Sequence, residues 1–516
     1  MFRRTFLVGA AGVLAPLPAL AQSATREKVA AALPKLKDFA RQITDKAQVP
    51  GLSIAIVHRD EVVLVEGFGL RQAGRPETID ADTIFQLASL SKPLSSTVVA
   101  ALVSDGKVSW DSRLRDIDPG FTLQDELAAA NVTVRDLFAH RSGLPGHVGD
   151  DIEELGFSQG EILHRLRLAK PAYGFRNGYS YSNFGLTEAA VAAARISGQG
   201  WEEAAEDRLY KPLGMASTSS RYRDFLNRPN RAALHVPVDG TWASFTKRNP
   251  DAQAPAGGAS SSARDLARWL RLLLAEGRYG ARQLIAKEAL QQAHIPATVR
   301  SVDPNTGAAS FYGLGWNIDY RAHGVEWSHA GAFSAGARTL VHLIPGEQLG
   351  IVVLSNAFPT GVPEGIAMTF FDLVFEGQPT KDWVTMANDV FQAGYAAMLK
   401  PSLAYATEPA APAAPLPPEA YLGDYSNDYV GDAKVTDSGG TLYLSLGPAG
   451  RRFPLNPFNR DVFTYAPMAE APKARSGVSF LIGPDGKASE VTIEDLNEYG
   501  MGRLARVPAT TPRQSR

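Results

Sequence analysis

Apolar and polar positions divide the chain into three regions. Leu52 to Val57 and Val62 to Val65 are apolar, β-branched runs separated by His58-Arg59-Asp60-Glu61. They read as an antiparallel hairpin. A further short apolar run ends at Ser89, and the pattern turns helical from Pro93 to Val103 before Asp105-Gly106 closes it. Thr133 is placed to cap a helix starting at Val134, which runs into the turn cluster His140-Arg141-Ser142-Gly143-Leu144-Pro145. Residues 184 to 210 are mostly helical by period, and Ala263 to Leu274 is an amphipathic helix. From Val325 the pattern is extended again. Ala337 to Ile344 and Leu349 to Leu354 form a hairpin through Pro345-Gly346-Glu347, and helical runs follow at Glu364 to Phe375 and Lys381 to Leu399. Strands at both ends with helices between predict an α+β fold. One antiparallel sheet, built from distant segments and flanked by helices, carries an inserted helical subdomain.

The third region is different. Glu408 to Pro418 is a proline/alanine linker with no helix or strand pattern. Beyond it Thr441 to Leu446 alternates, and Val478 to Ile482 and Ala488 to Ile493 flank Gly483-Pro484-Asp485-Gly486 as a hairpin. About eight short strands predict a small all-β barrel. The expected boundaries are a main domain over 22–400, a linker over 401–418, a barrel over 419–508 and a tail over 509–516.

Residues 1–21 read as an export signal and not as part of the fold. Arg3 and Arg4 precede an apolar, small-residue run, and Ala19-Leu20-Ala21 is a cleavage pattern before Gln22. The run is short and rich in Gly and Pro for a membrane span. The paired arginines resemble a twin-arginine signal, with an ordinary secretory signal as the alternative. The expected location is the periplasm or the exterior, with no membrane span in the mature chain.

The 516 residues contain no cysteine, which excludes disulfides, thiolate catalysis and Cys-ligated zinc. Without residues 1–21 there are 50 basic against 54 acidic residues, a balance that suits neither nucleic acid nor an anionic membrane surface. The expected partner is a small-molecule or peptide substrate. No cofactor or metal is expected: there is no His-Glu-x-x-His, and the nine histidines are scattered. Oligomeric state is open.

The chemistry points to Ser89 and Lys92, at i and i+3. A serine hydroxyl is a weak nucleophile until something takes its proton. A lysine beside it, near a helix N-terminus, stabilises the alkoxide or, when buried, acts as a base itself. Ser-x-x-Lys recurs at Ser104/Lys107, a helix end, and at Ser244/Lys247, where no helix follows. Position decides among them. Ser104 closes a helix and Ser244 comes after the second motif, whereas Ser89, ahead of a helix, makes an ordered three-part set with Tyr181-Ser182-Asn183 and His329-Ala330-Gly331. Tyr425-Ser426-Asn427 repeats the second motif in the barrel, and His147-Val148-Gly149 repeats the third in a turn; both are set aside as decoys.

The ordered set resembles the serine β-lactamase-related family, which includes class C β-lactamases, DD-carboxypeptidases, D-aminopeptidases and family VIII esterases. Thr133 to Leu137, His140 to Pro145, Pro212-Leu213-Gly214-Met215, Gly257-Gly258 and Tyr312-Gly313-Leu314-Gly315-Trp316 agree with it. The resemblance covers roughly residues 35 to 375, and the last domain is similar to the lipocalin-like barrel of some members. It implies Ser89 as nucleophile and Lys92 as the group that lowers the pKa of Ser89 or Tyr181. Tyr181, as tyrosinate or through a shared proton, becomes general base and then acid. Asn183 orients Lys92 and bonds substrate. Backbone N–H groups of Ser89 and Ala332 form an oxyanion hole, and Gly331 leaves its strand bare for substrate. His329 stands where β-lactamases of this kind carry lysine. The resemblance therefore implies an exported acyl-enzyme peptidase, acting on D-amino-acid-containing peptides, or a carboxylesterase. The alternatives are a β-lactamase or penicillin-binding activity, or a catalytically inactive binder of cell-wall fragments. An unperturbed His329 would gain charge between pH 8 and 6 and then favour carboxylate-bearing substrates. The Gly-x-Ser-x-Gly of α/β-hydrolases occurs once, at Gly156-Phe157-Ser158-Gln159-Gly160, and stands outside the ordered set.

Overall fold

The computed structural model describes residues 23–46, 48–467 and 475–508. The export signal and the tail therefore lie outside the described residues. Helix α1 (Arg26–Asp45) leads to the hairpin β1 (Gly51–His58) and β2 (Glu61–Gly69). Helices α2 (Ser91–Ser104), α3 (Val134–Phe138), α4 (Asp150–Glu154), α5 (Asn183–Ile196) and α6 (Ala263–Leu274) occupy the middle. Strands β3 (Thr298–Val302), β4 (Ala309–Tyr312), β5 (Asn317–Arg321), β6 (Gly324–Phe333), β7 (Ala337–Ile344) and β8 (Leu349–Ser355) return to the sheet. Helices α7 (Val362–Phe375) and α8 (Trp383–Leu399) close the domain.

The sheet runs β2-β1-β8-β7-β6-β5-β4-β3. β1 joins β8 antiparallel, with Ile54 opposite Val353. The first hairpin is thus zipped to strands nearly three hundred residues later, and the helical subdomain is inserted between them. Every residue of β1, β7 and β8 is buried, because both sheet faces are covered. Ile54 and Ile56 pack with Leu36 and Phe370 under α1 and α7. Ala55 and Val57 pack with Trp269 and Leu270 of α6. Period-2 alternation across a doubly covered sheet yields the unbroken apolar runs seen in the sequence.

The capping of α3 is as predicted: Thr133 and Asp136 form a reciprocal capping box. Asp136 is fully buried and also binds Arg141 Nε (2.8 Å) and Arg176 Nη2 (2.8 Å). Burial, the largest single effect, raises its carboxyl, but the bonds from Arg176, Thr133 and Arg141 together outweigh it and hold the group below the usual range. This ion triad ties the His140 turn and the segment before Tyr181 to one helix.

Among the described residues the C-terminal sheet has nine strands rather than about eight. They are β9 (Gly423–Asn427), β10 (Gly431–Ser438), β11 (Thr441–Leu446), β12 (Arg451–Pro454), β13 (Asn456–Asn459), β14 (Val462–Tyr465), β15 (Ser476–Ile482), β16 (Ala488–Ile493) and β17 (Arg503–Arg506). The order β12-β11-β10-β9-β17-β16-β15-β14-β13 makes a nearly closed barrel. The proline/alanine stretch is not a free spacer. Two of its amides bind the barrel, Ala413 N to Asn459 Oδ1 (3.0 Å) and Leu416 N to the Tyr421 hydroxyl (2.8 Å). No helix of the described residues is long and apolar enough to cross a membrane.

Candidate active site

Ser89 sits on a single 3-10 turn, Ala88–Leu90, that runs straight into α2. Ala88 holds φ at 48°, a left-handed conformation unusual for a residue with a Cβ. The turn is fastened on both sides. Leu87 N donates to Ala259 O (2.9 Å), and Leu87 O accepts from the Thr339 hydroxyl of β7 (2.7 Å). Pro93 lies in the first turn of α2, where a missing donor costs little.

Lys92 is fully buried. Its Nζ lies 3.0 Å from Ser89 Oγ, 2.6 Å from Asn183 Oδ1 and 3.0 Å from Ala256 O. It also sits 4.6 Å from the centroid of the Tyr181 ring. Burial pushes Lys92 down from 10.5 to about 7, with Asp150 opposing the shift. The carbonyl of Ala256 is presented by the short helix Ala254–Gly257, which α2 holds through Ser95 Oγ to Pro255 O (2.6 Å) and Ala259 N to Ser91 Oγ (2.9 Å). Gly258 is required here, because a Cβ would stand 2.6 Å from Ala254 Cα.

Tyr181 and Asn183 flank the start of α5, whose N-cap Ser182 accepts from Gly185 N. Burial raises the Tyr181 hydroxyl far above its usual 10, with a hydrogen bond to Ser89 opposing it. Tyr181 therefore rests protonated, and Lys92 is the group poised to lose a proton near neutrality. The direction of that shift speaks against tyrosinate as the resting base and leaves the shared proton.

His329 on β6 is buried, and its ring is spoken for. Nδ1 lies 2.8 Å from Ala330 O, so it carries the proton and donates; Nε2 lies 2.9 Å from the Tyr312 hydroxyl, so it accepts. Burial and then the nearby Lys92 push the ring down to about 3. The expected charging of His329 between pH 8 and 6 is thus corrected: a buried imidazole with both nitrogens engaged stays neutral there. The ratio of kcat/KM for matched carboxylate-bearing and neutral substrates should not change through His329 over pH 6 to 8. A rate titration over that range would check this, and a rise toward pH 6 that His329→Gln abolished would restore the cation.

Gly331 is also bare for a reason other than substrate. A Cβ there would meet Leu87 O at 2.1 Å, Thr339 Oγ1 at 2.5 Å and Leu90 N at 2.9 Å. The glycine lets β6 close on the Ser89 turn. Ala332, next on that strand, pairs with Arg338 of β7.

The structure brings together Ser89, Lys92, Tyr181 and Asn183, with His329 alongside at 6.3 Å between the His329 and Tyr181 rings. It also adds groups that sequence reasoning passed over. His140 is buried, with ring centroids 4.5 Å from Tyr181 and 5.0 Å from Tyr312, and accepts from Ser182 N through Nδ1 (3.2 Å). His147, dismissed as a decoy, stands 5.5 Å from the Tyr181 ring. Asp150 accepts from Asn183 Nδ2 (2.8 Å). The other decoys stay remote from this cluster. Ser104 ends α2 and accepts from Ala286 N, while Tyr425 is buried in the barrel and donates to Tyr421 O (2.6 Å).

This arrangement can deprotonate a serine next to a protonated tyrosine. The Beta-lactamase family pattern matches residues 36–369. The chain belongs to the beta-lactamase family. A second pattern, described as a domain of unknown function (DUF3471), matches residues 407–503. Among curated relatives of this beta-lactamase-family chain is unguisins hydrolase ungD' of Aspergillus campestris, 26% identical over 89% of each chain. Another is penicillin-binding protein 4 of Amycolatopsis lactamdurans, 29% identical over 63% of this chain and 84% of that one. The octameric penicillin-binding protein homologue from Pyrococcus abyssi superposes over 92% of this chain and 100% of that one, with a TM-score of 0.57. At 20% identity that likeness is one of fold.

Proposed function

We propose that the chain is an exported serine hydrolase that cleaves amide or ester bonds through an acyl-enzyme on Ser89. The preferred substrates are D-amino-acid-containing peptides or amides, or carboxylic esters. The observation that carries this reading is the setting of Lys92. A neutral amine there donates its two protons to Asn183 Oδ1 and Ala256 O and turns its lone pair to Ser89 Oγ. Ser89 Oγ then attacks the acyl carbon while its proton passes to Lys92 Nζ. The bond to the leaving group breaks, Tyr181 delivers its proton to the departing nitrogen or oxygen, and the Lys92 ammonium returns the proton it took to Tyr181, so that both groups are reset. Water repeats the sequence to release the acid and restore Ser89. Backbone N–H groups of Ser89 and Ala332 are the proposed oxyanion donors.

Two further points support peptidase or esterase action over efficient β-lactam turnover. His329 offers no cation where a lysine would offer a permanent one. One curated relative is named as a hydrolase of unguisins. Export through residues 1–21 and a lipocalin-like nature for the barrel belong to the same proposal. Its test is one panel run on the mature enzyme: D-amino-acid amides, D-containing peptides, short p-nitrophenyl esters and nitrocefin. Turnover of nitrocefin above all the others would reverse the preference.

The pH dependence follows from Lys92. Below about 7 the ammonium dominates and cannot take the serine proton; above it the amine is free. The acylation rate should fall as pH drops through about 7 and level off above it. A pH–rate profile of pre-steady-state acylation checks this. A limb in the usual carboxylate range, with none near 7, would assign the base elsewhere.

A further inference from the structure

The segment Gly146–Asp151 lies between the reacting groups and the C-terminal barrel. On its inner side, Asp150 Oδ2 accepts from Asn183 Nδ2 (2.8 Å) and from His147 Nδ1 (2.9 Å). Asn183 in turn accepts from Lys92 through Oδ1. One carboxylate is therefore joined to Lys92 through a single amide. Among the described residues its other oxygen, Oδ1, is buried without a hydrogen-bond partner.

On the outer side the barrel grips the segment. Tyr429, in the turn between β9 and β10, is buried. Its hydroxyl accepts from Gly149 N (3.0 Å) and donates to Asp151 Oδ1 (2.7 Å). Tyr499, before β17, donates to Gly146 O (2.7 Å), and Arg451 of β12 donates to Glu154 O (2.7 Å). Gly149 holds φ at 95°, and a Cβ there would stand 2.8 Å from both Phe184 of α5 and Ile162. The segment is thus pressed onto α5 from one side and bolted to the barrel on the other.

We propose that the barrel is a working part of the hydrolytic site, with Tyr429 and Tyr499 holding Asp150 as a positioning residue for Asn183 and Lys92. The proposal rests on the reading that Lys92 takes the Ser89 proton. The barrel is more than an appended domain on this view. It fixes the loop whose carboxylate sets both the geometry and the local field at the base.

The field around Lys92 is made by few groups. Ser89, Asn183 and Tyr181 touch it, His140 and His329 lie near, and Asp150 is the carboxylate that favours its charged form. Around Asp150 stand His147 and Asn183, with Asp151 and Glu153 on the same helix α4. Glu498 acts on His147 from the barrel, and Arg338 acts on Tyr181 from β7. The bond to Asp150 holds His147 above its usual range, with burial opposing.

The test is the pH dependence of Ser89 acylation by a fluorophosphonate probe, on the full-length chain. Wild type should be labelled with a midpoint near that of Lys92. Asp150→Asn removes the charge that stabilises the ammonium, so its midpoint should move down by roughly half a unit to one unit. Tyr429→Phe with Tyr499→Phe frees the loop, and its midpoint should move in the same direction. Its plateau rate should fall about 3- to 10-fold, the scale of one or two lost hydrogen bonds. Tyr425→Phe, which loses two bonds inside the barrel only, to Tyr421 O and from Arg506, should keep the wild-type profile. Unmoved midpoints in both variants, or an upward shift, overturn the proposal even if plateau rates drop, since a merely structural loop lowers rates without retuning Lys92. If Asp150→Asn does not fold, the tyrosine pair decides alone. A wild type unlabelled at every pH overturns the hydrolase reading and this inference with it, whereas labelled wild type with fixed midpoints overturns only the inference.

Discussion

Ser89→Ala is expected to remove fluorophosphonate labelling entirely and to lower turnover of every substrate by ~10⁴-fold or more. The substitution deletes one oxygen from a half-buried residue, and Lys92 keeps Asn183 and Ala256 as partners. The thermal melt should therefore stay close to that of wild type, so lost activity is lost chemistry. The controls are the two other serines followed by lysine at i+3. Ser104→Ala gives up an accepted bond from Ala286 N, and Ser244→Ala lies where no helix follows. Both should retain wild-type rates. Wild-type turnover in Ser89→Ala, or a loss shared with Ser104→Ala, would move the nucleophile elsewhere.

The motif order was legible because the chemistry-bearing residues sit on elements with strong local signals. Ser89 ends an apolar run before a long helix, Asn183 opens α5, and His329 lies on a strand of the returning sheet. The central strands were legible for a related reason: β1, β7 and β8 are buried on both faces and so are apolar without a break. The edge was not. β3, β4 and β5 are short and partly exposed, which leaves little pattern to read. Helix α1 carries Pro34 in its interior, a residue that normally argues for a break.

What the sequence hid at the site is long-range by nature. The partners of Lys92 include a backbone carbonyl, that of Ala256, which has no side-chain signature. Asp150 reaches Asn183 only because a turn folds it back, and Tyr429 meets that turn from a strand pair some 280 residues further on. The state of His329 could not be read either. Histidine in a motif suggests a titrating cation, but the Tyr312 hydroxyl and the Ala330 carbonyl use both of its nitrogens. The His-x-Gly spacing at His147 does not make it the third motif, and it gave no sign that this turn is folded against the Tyr181 ring. A signal was present in the acidic pair Asp150-Asp151 so close after the His140 turn, but only the fold distinguishes it from an ordinary helix start.

Tyr181→Phe is expected to lower kcat by ~10²–10⁴, the usual worth of a positioned acid–base group. The change takes away one hydroxyl and keeps the ring, which packs against His140 at 4.5 Å and under the Lys92 amine at 4.6 Å. Because Lys92 and not Tyr181 titrates near neutrality, the acid limb near 7 should survive in the variant, with only the plateau reduced. Tyr425→Phe carries the same tripeptide change in the barrel and should leave kcat unaltered. The size of the loss should depend on the leaving group. An amide nitrogen cannot depart without a proton, and Tyr181 is the protonated group beside Ser89 that can supply one. A p-nitrophenolate leaves without that help. Acylation by an amide should therefore suffer more than acylation by a p-nitrophenyl ester of the same acyl group, by about tenfold or more. Equal losses on the two substrates would take the acid role from Tyr181 and leave it as a wall of the site. Disappearance of the limb near 7 would instead mean that the tyrosine and the lysine share the titrating proton.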